Sequence, residues 1–111
     1  MDSKIKVKYS SKALDDLIEI MDYISYKLQN VKAANDLYNN IITSIDHLCL
    51  FPESCPILEN DFVVRKDLRK KIVDNYVIIY YYDLNNSYIF IVCIFNSKMD
   101  LNSIMLRLDE H

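Results

Sequence analysis

The chain of 111 residues contains no glycine. Left-handed backbone positions, which turns commonly require, must therefore fall on other residues, and asparagine tolerates positive φ better than most of them. The sequence has ten asparagines. We expect turns at Asn30, Asn75, Asn85 and Asn86. The same absence excludes phosphate loops built on glycine, whether of the Walker or the dinucleotide-binding kind.

Length and composition indicate a single domain spanning residues 1–111, because a chain of this size supports one hydrophobic core. Its 51% hydrophobic and 26% charged residues are ordinary for a globular protein. No stretch is apolar enough to span a bilayer, and the N-terminus lacks the apolar region of a secretory signal. We therefore expect a cytoplasmic protein without a membrane partner.

The cysteines and histidines offer little metal or redox chemistry. Cys49, Cys55 and Cys93 form an odd set without a Cys-x-x-Cys pair, which argues against a disulfide framework and a zinc site. His47 and His111 are the only histidines and lie far apart in the sequence. We expect reduced cysteines that fill space, no metal and no cofactor.

The first half of the sequence predicts a strand followed by two helices. Residues 4–9 alternate apolar side chains with lysines, which is the period of a half-buried strand. Ser10 or Ser11 then offers an N-cap. An apolar stripe at helical spacing, which we expect to face the core, consists of Leu14, Leu17, Ile18, Met21, Ile24 and Leu28. The carboxylates expected to favour the positive end of this helix are Asp15, Asp16 and Glu19.

After a break near Asn30 the helical pattern resumes and continues to Phe51-Pro52, where proline ends it. Two amphipathic helices with so short a connection are expected to pack as an antiparallel hairpin. Residues 53–61 are rich in Pro, Ser, Glu and Asn, so we interpret them as a connecting loop.

The second half predicts three strands joined by hairpin turns. The strands are expected at Phe62–Val73, with an irregularity near Asp67, at Tyr76–Asp83 and at Tyr88–Phe95. The last is almost wholly apolar, as expected for a central strand covered on both faces. Residues 100–108 form a short segment of undetermined type. The resulting fold class is α+β, in which an N-terminal strand and an antiparallel helical hairpin accompany a small, mainly antiparallel sheet.

A cluster of cations stands out against the formal net charge of −3: Arg65, Lys66, Arg69, Lys70 and Lys71. Such a cluster indicates contact with a polyanion or an acidic partner, although a solvated strand face is the plainer alternative. Arg65 and Arg69 are four residues apart and would share one exposed strand face, which Lys71 joins if the strand is regular.

The second half of the chain is also rich in tyrosine: Tyr76, Tyr80, Tyr81, Tyr82 and Tyr88. Tyrosines on a strand can stack on nucleic-acid bases. Strand alternation, however, turns about half of Tyr80–Tyr82 into the core, so a structural role is the favoured interpretation.

The order of these motifs resembles the RelE/ParE superfamily of bacterial toxins. The resemblance is carried by Leu-x-x-Phe-Pro at residues 48–52, the basic strand, Tyr-Val-Ile-Ile-Tyr at residues 76–80, the apolar strand and Lys-Met-Asp at residues 98–100. It implies the toxin of a type II toxin-antitoxin module, associated with plasmid stabilisation, which inhibits growth. A cognate antitoxin would wrap and neutralise it in a hetero-oligomer.

One branch of the superfamily cleaves messenger RNA on the ribosome. The resemblance to that branch is incomplete, because Val77 and Met99 stand where those nucleases carry arginines, while Lys70 matches one of their lysines. If the chain were such an enzyme, its catalytic candidates would be Arg69, Lys70, Lys71 and Lys98. A further subgroup ends in a catalytic His-Tyr pair, but no tyrosine follows His111.

The ParE branch, whose members poison DNA gyrase, is more similar at residues 96–101, although Asn96 and Lys98 replace its histidine and arginine. Lysine retains the charge but not the bidentate geometry of arginine. The resemblance implies binding without chemistry, and the candidate residues for target or antitoxin binding are Arg65, Arg69, Lys71, Lys98, Met99 and Asp100. Lys98 and Asp100 can alternatively pair across a turn. An inactive remnant that binds only an antitoxin is a further alternative.

Overall fold

The computed structural model describes residues 5–59 and 65–108, with side chains through residue 105. It confirms the α+β class. The elements are β1 (Lys6–Tyr9), α1 (Ser11–Asp22), a π-helical turn (Tyr23–Lys27), α2 (Val31–Leu50), β2 (Arg69–Val73), β3 (Tyr76–Asp83), β4 (Tyr88–Asn96) and α3 (Leu101–Leu108). The terminal segment that the sequence left untyped is thus a helix. No helix in residues 5–59 and 65–108 has the length and apolar character required to cross a membrane.

The sheet has the strand order β1-β4-β3-β2, so β4 is internal, as predicted. β1 lies parallel to β4, whereas β3 is antiparallel to both β4 and β2. The register between β3 and β4 changes at one point, where Ile79 faces Cys93 and Tyr80 faces Ile91. Val92 is the extra residue of this irregularity, which is typical of a β-bulge.

Apolar clusters cover both faces of the sheet. On the helix face, Ile78, Tyr80 and Ile91 pack with Ile41 and Ile45 of α2. On the opposite face, the residues that pack together are Val77, Ile79, Cys93 and Phe95 of the sheet, Leu58 and Leu68 of the adjoining loops, and Ile104 and Met105 of α3. The nearly continuous apolar sequence of β4 reflects this burial from both sides.

The connection from β1 to α1 is joined to β4 by polar contacts. Ser10 is the N-cap, because its hydroxyl oxygen accepts the Ala13 N–H at 2.9 Å while the hydroxyl donates to the Val92 carbonyl at 2.6 Å. The expectation that Asp15, Asp16 and Glu19 favour the helix N-terminus was wrong, since the first turn contains no acidic residue. Asp16 instead accepts the backbone N–H of Ile94 at 3.0 Å and pairs with Lys12 at 2.9 Å.

The apolar stripe of α1 is only partly core. Ile24 is buried, and Leu17 and Met21 pack against the core while half-buried. The other members are exposed: Leu14 by 47%, Ile18 by 59% and Leu28 by 56%. The prediction that the whole stripe faces the core was wrong for these three, because the stripe is wider than the helix face that the sheet and α2 cover. The hairpin therefore retains an exposed apolar surface.

The turns lie where the sequence predicts them, but asparagine does not supply the positive φ. The non-glycine residues with positive φ in the described chain are Gln29, Asp74 and Ser87, each adjacent to a predicted turn asparagine. Asn30 has another task, since its side chain accepts the Ala33 N–H at 3.0 Å as the N-cap of α2, at a φ of −136°. The expected assignment of the left-handed positions to asparagine was therefore wrong.

The predicted basic strand is shorter than expected. Residues 62–64 lie outside the described residues, residues 65–68 are not strand, and β2 begins at Arg69. The physical reason is that a loop, not a strand, lies beside this part of the chain. Leu58 donates its N–H to the Leu68 carbonyl at 2.7 Å, and Ile57 forms an isolated bridge with Arg69.

The cysteines differ in their surroundings, which predicts different reactivity. Cys93 is buried in the sheet, and burial raises the pKa of its thiol to about 12, whereas Cys49 is only half-buried. Since the thiolate is the reactive form, we expect Cys49 to react with an aromatic disulfide reagent at pH 8 at least ~100-fold faster than Cys93. Mass spectrometry of partly modified protein would locate the label. In urea, where both thiols are accessible, the two rates should be equal, which serves as the control. Equal rates in the native protein as well would contradict the burial of Cys93.

Candidate functional site

Arg69 is occupied by internal contacts. One terminal nitrogen of its guanidinium donates to the Cys55 carbonyl at 2.5 Å and to the Glu53 carbonyl at 3.2 Å, and the other lies 3.7 Å from the Glu53 carboxylate. The side chain is only 17% exposed. The expectation of an exposed arginine on a strand face was therefore wrong. Arg69 fastens the loop after α2 to the edge of the sheet.

Arg65 lies outside the strand and does not share a strand face with Arg69, which corrects a second expectation. Its guanidinium carbon is 3.4 Å from the centre of the Tyr81 ring. The same group makes a two-point ion pair with Asp67 at 2.6 and 3.0 Å. The Arg65 guanidinium is thus engaged by Asp67 and Tyr81, on the sheet face opposite α1 and α2.

The cations of β2 are divided between the two faces of the sheet. Arg69 and Lys71 lie opposite Tyr80 and Ile78, which belong to the cluster on the helix face. Lys70 lies opposite Ile79, which belongs to the cluster on the other face. Arg69, Lys70 and Lys71 therefore cannot converge on one substrate group, because neighbouring side chains of a strand point in opposite directions.

The tyrosines do not form an open stacking platform. Tyr80 is fully buried and donates its hydroxyl to the Pro52 carbonyl at 3.0 Å, and burial raises its pKa. Tyr81 has Arg65 over its ring and stacks on Phe90 with centroids 5.2 Å apart. The Nζ of Lys8 is 4.2 Å from the centre of the Tyr88 ring. The Tyr81 ring therefore contacts the rings of Tyr88 and Phe90. The rings of Tyr81 and Tyr88 also each contact a cation of the protein itself.

The segment from Asn96 to Asp100 forms a braced turn. The Asn96 side-chain oxygen accepts the Lys98 N–H at 2.9 Å, and the Asn96 carbonyl accepts the Met99 N–H at 2.9 Å. At the other end, the Asp100 carboxylate caps α3 by accepting from the Asn102 N–H at 3.1 Å and the Ser103 hydroxyl at 3.0 Å. Both ends of the turn are thus fixed by hydrogen bonds.

Lys98 and Met99 project from this turn. Both are exposed, Met99 by 48%, and among the described residues no ion pair joins Lys98 to Asp100. The pairing that the sequence offered as an alternative is absent there, because Asp100 is engaged in the helix cap. The turn also lies beside the turn between β2 and β3, since Ser97 donates its N–H to the Asn75 carbonyl at 2.8 Å. Arg69 is at the opposite end of β2, ~13 Å away along the strand.

A comparison with protein-family models covers most of the chain. The family model described as the ParE toxin of the type II toxin-antitoxin system, parDE, matches residues 7–101. The chain belongs to the ParE toxin family. The match includes every described candidate residue from Arg65 to Asp100. The sequence has no significant match among curated proteins.

Solved structures share the fold of this ParE-family toxin at low sequence identity. A chain of the chromosomal ParDE TA system from P. aeruginosa has a TM-score of 0.65 and 15% identity, and the alignment covers 86% of this chain and 98% of that one. A chain of the archaeal RelE-RelB complex from Pyrococcus horikoshii OT3 has a TM-score of 0.59 and 17% identity, with coverages of 88% and 100%. A chain of the toxin-antitoxin complex RelBE2 from Mycobacterium tuberculosis has a TM-score of 0.57 and 13% identity, with coverages of 85% and 99%.

Proposed function

We propose that this ParE-family toxin arrests bacterial growth in the cytoplasm by binding DNA gyrase, without catalysing a reaction, and that it serves a plasmid-stabilising module. The observation that carries the proposal is the separation of its cations. Arg69 is engaged by loop carbonyls, Lys70 lies on the opposite face from Lys71, and Lys98 is at the far end of the sheet.

Cleavage of RNA requires a base, an acid and several cations that converge on one phosphate. The described residues do not bring such a set together. Val77 is buried in the sheet, and Met99, where the nuclease branch carries a second arginine, is uncharged. A ribosome-dependent endoribonuclease is therefore less well supported than a protein that acts by binding.

The braced turn is the part best suited to contact a large target. It presents a lysine and a methionine from a backbone fixed at both ends, so little conformational entropy is lost on binding. Methionine adapts its shape to an apolar partner surface, while the ammonium group of Lys98 adds a point charge. We infer that Lys98 and Met99 form the centre of the contact with gyrase.

A cognate antitoxin is the second partner in this proposal. Two of the structural relatives are described as toxin-antitoxin or RelE-RelB complexes. The helical hairpin also exposes apolar side chains that a partner could cover, at Leu14 and Ile18 of α1 and at Tyr38 of α2. Burial of such a surface would favour association and produce a negative change in heat capacity. We propose that the antitoxin covers it in a hetero-oligomer.

Inducible expression in a bacterial host tests the target. DNA breaks and messenger RNA integrity would be followed in one culture, with and without coexpression of the neighbouring gene. We expect growth arrest with DNA breaks and intact messages, which the neighbouring gene relieves. Cleaved messages with intact DNA would establish the nuclease alternative, and absence of arrest would leave a protein that only binds an antitoxin.

The exposed turn gives a more specific prediction. Lys98→Ala should relieve growth arrest substantially while leaving the melting temperature unchanged within about 2 °C, because exposed side chains contribute little to stability. Lys27→Ala is a matched control, since Lys27 is also exposed but lies in the π-helical turn. Undiminished toxicity of a folded Lys98→Ala variant would refute the assignment of Lys98 to the target contact.

A further inference from the structure

Two turns lie side by side at one end of the sheet. One is the two-residue turn of Asp74 and Asn75, which joins β2 to β3, and the other is the braced turn after β4. The Ser97 N–H donates to the Asn75 carbonyl at 2.8 Å and so connects them. Ser97 directly precedes Lys98, and the place of Lys98 on the surface therefore depends on where the Asn75 carbonyl is held.

This bond differs from the other hydrogen bonds of the braced turn. The Lys98 N–H and the Met99 N–H both bond Asn96, a residue of the same turn, so these contacts fix its shape. The bond from Ser97 reaches a separate segment of the chain, at the turn between β2 and β3. It therefore limits how far the braced turn can move relative to the end of the sheet.

The turn between β2 and β3 has a backbone conformation that needs support. Asp74 has a φ of 53°, in the left-handed region. A non-glycine residue adopts this region at a cost in free energy and remains there only where surrounding contacts hold it. The pairing of Val73 with Tyr76 supplies part of that support, because it closes the turn.

The α2 helix supplies the rest through the side chain of Asn40. The Asn40 Nδ2 donates to the Asp74 Oδ2 at 3.0 Å, across a separation of 34 residues in the sequence. A carboxylate acceptor makes such a bond stronger than one between neutral groups. Asp74 forms no ion pair with the described residues, so the Asn40 amide is its side-chain contact beyond the turn.

We propose that Asn40 is a positioning residue for the target contact. It holds Asp74 in place, and through the adjoining Asn75 carbonyl and the Ser97 N–H it sets the position of Lys98. The inference rests on the proposed function, in which Lys98 contacts gyrase. Asn40 acts in this role through the two turns and not by touching the target. A looser turn would lose more conformational entropy on binding, so affinity would fall without Asn40.

Binding to purified DNA gyrase tests the proposal, with Asn39→Ala as the matched control. Asn39 is the neighbouring asparagine of α2, is also exposed, and bonds no group of the sheet within the described residues. Asn40→Ala should weaken binding roughly fivefold. Asn39→Ala should change it less than about twofold, and both variants should keep the melting temperature within about 3 °C, because both side chains are exposed.

Amide hydrogen exchange in the free toxin follows the turn without any target. Exchange of the Ser97 N–H should accelerate at least ~5-fold in Asn40→Ala and stay within about twofold of wild type in Asn39→Ala. The Ile94 N–H, which Asp16 holds, should be unaffected in both, which separates a local loosening from a general loss of stability. Asn40→Gln keeps an amide donor and should restore slow exchange at Ser97.

A double variant tests whether Asn40 acts through Lys98. In the Lys98→Ala background the target contact of the lysine is already lost, so adding Asn40→Ala should weaken gyrase binding by less than about twofold. A full fivefold further loss in the double variant would overturn the proposal, because Asn40 would then act independently of Lys98.

The remaining outcomes are distinguishable. Unchanged exchange of the Ser97 N–H in Asn40→Ala would overturn the positioning role and leave the proposed function intact. Faster exchange at Ser97 with unchanged gyrase affinity would also overturn it, since the position of the turn would not matter to the target. Equal weakening by Asn39→Ala would mean that the surface of α2 itself contacts gyrase. Failure of the wild-type toxin to bind gyrase would refute the proposed function, whatever the exchange measurements show.

Discussion

Arg69→Ala should lower the free energy of unfolding by about 3 kcal/mol. The substitution removes two hydrogen bonds from a charged donor to the carbonyls of Glu53 and Cys55, each of which contributes roughly 1.5–3 kcal/mol when the donor is charged. The ion pair with the exposed carboxylate of Glu53 adds little. The loop after α2 would lose its attachment to β2, so the loss of stability should appear together with faster exchange of the Lys70 N–H, which bonds the Pro56 carbonyl.

Lys71→Ala is the matched control for Arg69. Lys71 lies on the same strand and the same face but makes no ion pair with the described residues, so its removal should change stability by less than about 0.5 kcal/mol. Urea denaturation at pH 7 measures both variants. Equal effects of the two substitutions would show that the charge of the basic strand matters, and not the contacts of Arg69.

Asp16→Ala should lower the free energy of unfolding by about 2 kcal/mol. The Asp16 side chain is 14% exposed, and its loss leaves the Ile94 N–H without a protein partner, which costs roughly 1–3 kcal/mol for a buried donor. Asp16→Asn keeps an oxygen acceptor while removing the charge that pairs with Lys12, so it should recover at least half of the loss.

Asp15→Ala serves as the control for Asp16, because Asp15 is exposed on the same helix and bonds no group of the sheet. We expect its effect to stay within about 0.5 kcal/mol. Amide exchange in the three variants would show whether the Ile94 N–H loses protection only in Asp16→Ala. Full protection in that variant would contradict the assigned role of the carboxylate.

Local periodicity in the sequence predicted those helices and strands that have a simple pattern of burial. Helical spacing from Leu14 to Leu48 and the apolar sequence of β4 predicted their elements, since burial on one stripe or on both faces leaves a direct trace in the sequence. The prediction of a strand at residues 65–68 was wrong, because β propensity does not reveal that the loop at residues 55–58 lies at the sheet edge. The prediction that the whole α1 stripe faces the core was wrong, because periodicity does not show which part of an apolar stripe is covered by a neighbouring element.

The candidate site was predictable only in part. The exposure of Lys98 and Met99 agreed with their position in a polar turn after an apolar strand. The internal role of Arg69 depends on loop carbonyls 14 and 16 residues earlier, and that of Asp16 on a backbone N–H 78 residues away. Backbone partners leave no signature in side-chain sequence, so spacing arguments could not have found these contacts.

The contacts of Ser10 and Asp16 with β4 have a consequence for synthesis in the cell. The N-cap hydroxyl of α1 meets its acceptor at Val92, 82 residues later, and β1 has no other strand partner than β4 among the described elements. At roughly 5–20 residues per second, a ribosome needs several seconds to complete that interval. Throughout this time the helical hairpin lacks the sheet on which it packs. The helical hairpin and the sheet therefore acquire their mutual contacts only near the end of translation, after β4 has been synthesised.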